Sequence, residues 1–332
     1  MDMPAIDLGK QSFHLHGVDV DGVVISRRVG RTKLMGTVER LAPRIVAMEA
    51  CATAHHWART FAALGCEVRL TNPRFAKPFA RGSKNDAVGA EAIFDAACRP
   101  TMRFVPVKSL ARQDLQPLHR VRDRLVAQRT GLIDHPRGLL AEYGIVRPTG
   151  AALLARRARE GLAEAAPSPM ARETFEGLLD ELDALRAKTD RIDERLVAIR
   201  REDDVCRRIM QLPVIGPVVA TALVASIGNA RRLRTGREPA AWIGLVPRQH
   251  STGGKSRLGG IGRRANHYLR RLLIHGARAV ALRLAARTDR RSRWFQSVID
   301  RRGFNKGLVA MANKTARIAW AVPVREEDCR PA

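Results

Sequence analysis

The sequence is short of acid. Its 332 residues carry 33 Asp and Glu against 59 Lys and Arg, a formal net charge of +26. Arginine dominates the cations and runs along the whole length, the electrostatic footprint of a polyanion partner, most simply DNA or RNA. A basic membrane-surface protein would need an amphipathic anchor or a lipidation signal, and the sequence has neither. No apolar run approaches the length of a membrane span, and no signal-peptide pattern precedes Asp7, so the expectation is a cytoplasmic, nucleoid-associated bacterial protein with no membrane partner. Cysteine is sparse. Cys51, Cys66, Cys98, Cys206 and Cys329 lie far apart without a CxxC pair, which excludes a cysteine zinc site and fits reduced thiols. The nine histidines show no metal-ligand spacing, and Gly259, Gly260 and Gly262 space badly for a Walker loop, which excludes nucleotide hydrolysis on that pattern.

What is present centres on Pro247-Arg248-Gln249-His250-Ser251-Thr252-Gly253-Gly254-Lys255-Ser256-Arg257. Two hydroxyls stand beside two glycines, so Ser251 is expected on a tight turn with its hydroxyl exposed. Arg248, Lys255 and Arg257 would attract a phosphodiester and stabilise charge building on it. A solvated Ser/Thr/Gly loop is the bland alternative.

The chain has length for two domains. Residues 1–106 read as an α/β domain: strands at 4–19 and 22–26, a helix near 32–42, and a strand ending at Glu49. A helix at about 53–64, a strand at 67–70 and a helix at about 85–98 follow. Asp7 sits inside an apolar strand, Glu49 ends another, and Asp86 begins the last helix. A carboxylate in a buried strand is expensive unless a metal or partner neutralises it. Adjacent strands and a helix start can bring the three together as hard-oxygen ligands for Mg²⁺. Asp86 as a plain N-terminal helix charge and Glu49 as a surface residue remain open.

Residues 107–204 form a helical middle. The helix over 106–141 contains Pro117 and Pro136, which predict kinks or breaks. A loop and short-helix linker spans 145–170. Phe175, Leu178, Leu182, Leu185, Thr189, Ile192, Leu196 and Ile199 then recur three and four apart. That seam fits a coiled coil joining two copies, or equally a hairpin with the 106–141 helix. Residues 205–325 read as mainly α. Leu212-Pro213-Val214-Ile215-Gly216-Pro217 resembles a helix-hairpin-helix, which binds phosphates through backbone N–H groups near Gly216, although Val214 stands where that motif usually has glycine. Arg263 and Arg264 precede an Arg-rich helix whose cations could track a nucleic-acid backbone.

Val46-Ala47-Met48-Glu49-Ala50-Cys51, His55-His56-Trp57-Ala58-Arg59, Lys84-Asn85-Asp86-Ala87 and Arg99 to Ser109 resemble DEDD-type insertion-sequence transposases. So do Leu212 to Val280, Ser292-Arg293-Trp294 and Asn313 to Trp320. The class is insertion-sequence one-ten, eleven-eleven branch, related to the Piv/MooV invertases, and the resemblance covers nearly the whole chain. It implies a RuvC-like, RNase H-type N-terminal domain, a coiled coil, and a C-terminal domain with a nucleophilic serine that forms a phosphoserine link to DNA. It also implies an acidic tetrad holding Mg²⁺, a bridging noncoding RNA that guides donor and target DNA, and a site composed across subunits of a dimer or tetramer. Carried over, the acids are Asp7, Glu49 and Asp86, and the serine is Ser251, with Thr252 the less suited hydroxyl. The family pattern has a further Asp three residues after Asp86, where this chain has Gly89. At about 100° per residue, Glu91 and Asp95 point away from Asp86 and cannot replace it. Three readings follow: an RNA-guided recombinase, an impaired copy that only binds nucleic acid, and a RuvC-like junction nuclease that needs no serine.

Overall fold

The computed structural model describes residues 2–19, 21–83, 85–146, 154–227, 230, 233–262 and 265–325. The chain divides into two compact units, 1–110 and 111–332.

The first unit is a mixed sheet with helices on both faces. β1 (Ala5–Leu8), β2 (Ser12–Val18) and β3 (Val24–Gly30) form an antiparallel meander. Gly9 closes the first turn because a Cβ there would run into the Ser12 carbonyl oxygen. α1 (Leu34–Leu41) leads to β4 (Ile45–Glu49), which pairs parallel to β1. α2 (Ala54–Ala63) returns the chain to β5 (Glu67–Thr71), parallel to β4. α3 (Pro73–Ala76) and α4 (Asp86–Ala97) follow, and β6 (Phe104–Val105) closes the edge, giving the order β3-β2-β1-β4-β5-β6. This is the α/β meander-then-crossover arrangement expected for 1–106. The third strand differs from expectation: it runs to Gly30, beyond Ser26, because its outer residues Arg27 and Arg28 are solvated and leave no apolar alternation to read.

Side-chain alternation sorts the two faces of the sheet. Ile6, Val46, Met48, Phe13 and Leu15 pack under α1 and α2, where Trp57 meets Phe13 edge-on at 5.2 Å between ring centroids. On the other face Ala5 and Ala47 leave room for α4, which seats Ile93, Ala96 and Ala97 against them. Small residues at the sheet centre thus draw one helix close.

The second unit is mostly helical. α5 (Leu110–Ala141) stays helical through Pro117 and Pro136, so the expected breaks are not there. Each proline forfeits one backbone hydrogen bond, a loss of about 3 kcal/mol, and the burial of Leu115, Leu125, Ile133, Pro136 and Leu140 along the helix offsets it. α6 (Leu154–Ala165) and α7 (Pro169–Glu202) come next. The seam of α7 packs on the same chain. After Phe175 its next buried residue is Leu179, not the expected Leu178: Phe175 and Leu179 meet Leu140, Ala158 and Leu162, Leu182 meets Ile133 and Leu154, and Leu196 meets Leu115 and Ala225. Thr189, the polar break in the seam, is buried and donates its hydroxyl to the Leu185 carbonyl at 2.8 Å. Arg122 on α5 pairs with Asp193 on α7, with one N–H···O at 2.9 Å. The hairpin alternative therefore accounts for the seam, and the specific argument for an intersubunit coiled coil is withdrawn because its apolar face is already covered.

A prediction follows for this hairpin. Leu182→Ala lowers unfolding stability by about 2–5 kcal/mol, the usual range for a buried leucine, and leaves sedimentation mass unchanged. A shift in mass would return the seam to an intersubunit contact.

α8 (Asp204–Ile209), capped by Asp203, and α9 (Pro217–Ile227) are joined by a short turn in which Leu212, Val214 and Ile215 are buried. The Gly216 carbonyl accepts from the Ala220 N–H at 2.9 Å and so opens α9. α10 (Arg237–Ile243) precedes β7 (Pro247–Thr252) and β8 (Lys255–Ile261), and α11 (His267–Ala281), α12 (Arg290–Arg302) and α13 (Phe304–Arg325) complete the unit. Gly276 of α11 has no room for a Cβ because the Val214 carbonyl lies against it, so α11 backs the 212–216 turn directly. Among the described residues, no helix is long and apolar enough to cross a membrane.

Candidate active site

The first unit gathers three acids on one cleft. Ala5 pairs with Ala47 and Ile6 with Met48, so Asp7 and Glu49 stand next in the same parallel register, on the face covered by α4. Asp86 is the first residue of α4, and the Asn85 side chain caps that helix by accepting from the Val88 N–H at 2.8 Å. Asp7 and Glu49 are half-buried, whereas Asp86 is exposed. All three line a cleft of about 750 Å³, together with Asn85, Gly89 and Lys77. Glu91 and Asp95 are not among its lining residues, as their helical phase required.

Gly89 of α4 lies against the Asp7 carboxylate. A Cβ built on it would lie 3.2 Å from Asp7 Cγ and collide with Asp7 Oδ2. The missing side chain is therefore filled by the Asp7 carboxylate, which lies over the helix at that point. This bears on a metal. Carboxylates are hard oxygen donors suited to Mg²⁺, and here they share a cleft. Among the described residues, however, no three His, Cys, Asp or Glu side chains converge closely enough to hold an ion. The donor chemistry fits a divalent cation; the side chains stand apart.

The second unit presents Ser251 on a hairpin, not on an irregular loop. Gly253 and Gly254 adopt φ of +54° and +75°, the left-handed pair that a two-residue hairpin turn requires. The mainly α region thus carries a two-stranded sheet, and every residue of β7 and β8 is exposed. Arg270 ties down its base, donating to the Gly244 and Gly262 carbonyls, and the Asn313 amide donates to the Leu245 carbonyl at 3.0 Å.

Register divides the hairpin into two chemical faces. Gln249 pairs with Leu258 and Ser251 with Ser256, while His250 pairs with Arg257 and Thr252 with Lys255. Paired residues share a face and successive ones alternate. One face therefore carries Gln249, Ser251, Ser256 and Leu258, and the other His250, Thr252, Lys255 and Arg257. The Gln249 amide donates to Ser251 Oγ at 2.8 Å, consistent with that sorting. Lys255 and Arg257 stand behind Ser251 instead of beside it, and Arg248 sits at an irregularity between Pro247 and Gln249. Arg263 and Arg264 lie outside the described residues.

Sequence reasoning missed Lys77 in the acidic cleft and both Gln249 and Ser256 beside Ser251. Gly253-Gly254 was the available signal for the last two: a two-residue turn sets the pairing, and pairing sets the face.

Comparison with known proteins identifies the two regions separately. Residues 5–145 match a family model for the transposase domain of DEDD-type IS110 elements, and residues 206–293 match one described as Transposase IS116/IS110/IS902 family. A probable family 20 transposase of Pseudomonas aeruginosa is 49% identical over 330 residues, covering 98% of each chain. The transposase for insertion sequence element IS1111A of Coxiella burnetii is 41% identical over 98% of this chain and 90% of its own. The transposase for insertion sequence element IS1328 of Yersinia enterocolitica is 38% identical over 96% and 95%. With both regions matched and three full-length relatives above a third identity, the chain belongs to the IS110 family of insertion-sequence transposases.

Proposed function

We propose that this transposase cuts and rejoins DNA through attack of Ser251 Oγ on a phosphodiester. The Oγ–P bond forms, one P–O bond to a sugar breaks, the serine proton passes to a base, and the departing sugar oxygen takes up a proton. The covalent phosphoserine conserves the energy of the broken linkage for rejoining. The observation that carries this reading is the exposed Ser251 hydroxyl, held by Gln249 on a hairpin face free of packing. A serine hydroxyl is a weak nucleophile at neutral pH and needs both orientation and a base. Gln249 supplies the orientation.

Asp7, Glu49 and Asp86 would hold Mg²⁺, which when bound offsets charge developing on the phosphoryl oxygens. Lys77 at that cleft, Lys255 and Arg257 on the far hairpin face, and Arg248 would grip neighbouring phosphates, with Arg263, Arg264 and the N–H groups near Gly216 adding backbone contacts. The charge of +26 suits both DNA and a guide noncoding RNA. Assembly as a dimer or tetramer would let acids of one copy meet the serine of another.

The second reading, an impaired copy that binds without cutting, is favoured by the Asp7 carboxylate lying over Gly89 and by the unconverged acids. Denaturing gels separate the two. Mixed with Mg²⁺, element-end DNA and the flanking noncoding RNA, the parent protein yields a covalent protein–DNA band. Gln249→Ala yields it about 10-fold more slowly, the scale of loss when a reacting group is misplaced. Nucleic-acid binding without any covalent band establishes the impaired copy.

A further inference from the structure

The second unit contains a cavity of about 200 Å³ that the serine chemistry does not use. Gln116, His119, Arg120 and Asp123 of α5, Ala222, Ala225 and Ser226 of α9, and Asn266 and Tyr268 at the start of α11 line it. His119 is only 4% exposed. Its Nδ1 lies 3.0 Å from Tyr268 Oη, and the two rings meet edge-on with centroids 5.7 Å apart. Nδ1 and the Tyr268 hydroxyl share that bond, so the other ring nitrogen, Nε2, is left to a different partner as donor or acceptor according to the tautomer. Nε2 is buried without a hydrogen-bond partner. An orphaned ring nitrogen of this kind is rare in a folded protein and marks a place where a ligand or water completes the bond.

The cavity's chemistry narrows the ligand. Burial, and then the Arg122 charge, depresses His119 to a pKa of about 4, so its ring is neutral at physiological pH. Gln116, Ser226, Asn266 and Tyr268 are also uncharged polar groups. Asp123 is engaged by Arg271. A bare anion would want cations inside, whereas neutral donors and acceptors beside an aromatic ring suit the edge and face of a nucleobase. Ala222 and Ala225 supply small walls that leave the space open. Arg120 is exposed at the rim, where a phosphate attached to that base would lie.

We propose that this cavity takes a single unpaired nucleobase of the bound nucleic acid, with His119 Nε2, Gln116, Ser226 and Asn266 reading its edge and Arg120 holding its phosphate. The proposal rests on the nucleic-acid-binding reading above but concerns a site apart from Ser251.

The test is fluorescence anisotropy with the full chain and two sets of labelled hairpins, one DNA and one RNA. Each set carries one bulged A, C, G or T/U, or an abasic residue at the bulge. At least one bulged base should bind about tenfold tighter than the abasic probe, and the set in which this occurs identifies DNA or RNA as the source. Ser226→Leu, which narrows the cavity, and Gln116→Leu, which removes an edge contact, should abolish the preference while abasic probes bind as before. The two variants alter different sides of the cavity, so the test stands if either one fails to fold. Equal binding of base and abasic probes in both sets would overturn the proposal, leaving a water-filled gap, as would a preference that survives both variants. No binding by any hairpin would instead overturn the nucleic-acid reading as well.

Discussion

Ser251→Ala lowers strand exchange between element-end and target DNA by at least about 10³-fold, the scale expected when a covalent nucleophile is removed. DNA affinity stays within about twofold, because an exposed substitution without packing changes stability by no more than about 0.5 kcal/mol. Ser256→Ala and Thr252→Val are the informative controls. Ser256 shares the serine face but lacks the Gln249 contact, and Thr252 points to the opposite face with Lys255. Both variants should retain strand exchange within about tenfold, the allowance for a disturbed neighbour. Exchange in a time course on supercoiled donor and target plasmids is the readout. Cleavage at the parent rate in Ser251→Ala would favour a junction nuclease using activated water and would remove the serine from the mechanism.

Gly89→Asp has the second-largest expected effect, and its sign depends on Mg²⁺. The new side chain meets the Asp7 carboxylate, the flexible end of that residue, so Asp7 can swing away without moving the strand. Two carboxylates about 4 Å apart then repel by about 4 kcal/mol at an effective dielectric constant of 20. Their repulsion raises one carboxyl pKa above its unfolded value. A raised folded pKa gives stability that is present below the unfolded pKa and lost as pH rises through the folded one. Metal-free Gly89→Asp should therefore be less stable than the parent at pH 7 and recover as pH falls towards 4. Mg²⁺ held by these carboxylates would reverse the loss by neutralising their charge. At 100 times its dissociation constant, a ligand stabilises by about 2.7 kcal/mol, which for a unit of this size raises Tm by roughly 10 °C. Differential scanning calorimetry with and without Mg²⁺ measures both signs. A variant and a parent equally indifferent to Mg²⁺ would show that the cleft is no cation site.

The first unit was largely legible because its signals are local. Apolar runs set β1, β4 and β5, Asn85 announced the start of α4, and the three acids fell inside one strand, at the end of another and at a helix start, and all line one cleft. The close approach of Asp7 to Gly89 was not legible, since it depends on how tightly α4 sits on Ala5 and Ala47. Gly89 could be read as a lost ligand but not as a space already taken. In the second unit periodicity revealed the α7 seam without naming its partner, because an apolar stripe does not say which helix covers it. α5 held through two prolines for a related reason: the local penalty is visible in sequence, and the burial that outweighs it is not. The hairpin was missed because all of its residues are exposed, so hydrophobic alternation, the usual strand signal, is missing. Its cost was a misjudged neighbourhood for Ser251, with cations expected beside the hydroxyl that the register puts behind it.

The most direct measurement is mass spectrometry of the protein–DNA adduct after nuclease and protease digestion, with Mg²⁺ and both nucleic acids present during the reaction. The account predicts one nucleotide-modified peptide, spanning 249–257, with fragment ions that put the phosphodiester on Ser251. Modification of Ser256 or Thr252, or cleaved DNA with no modified peptide at all, would contradict it.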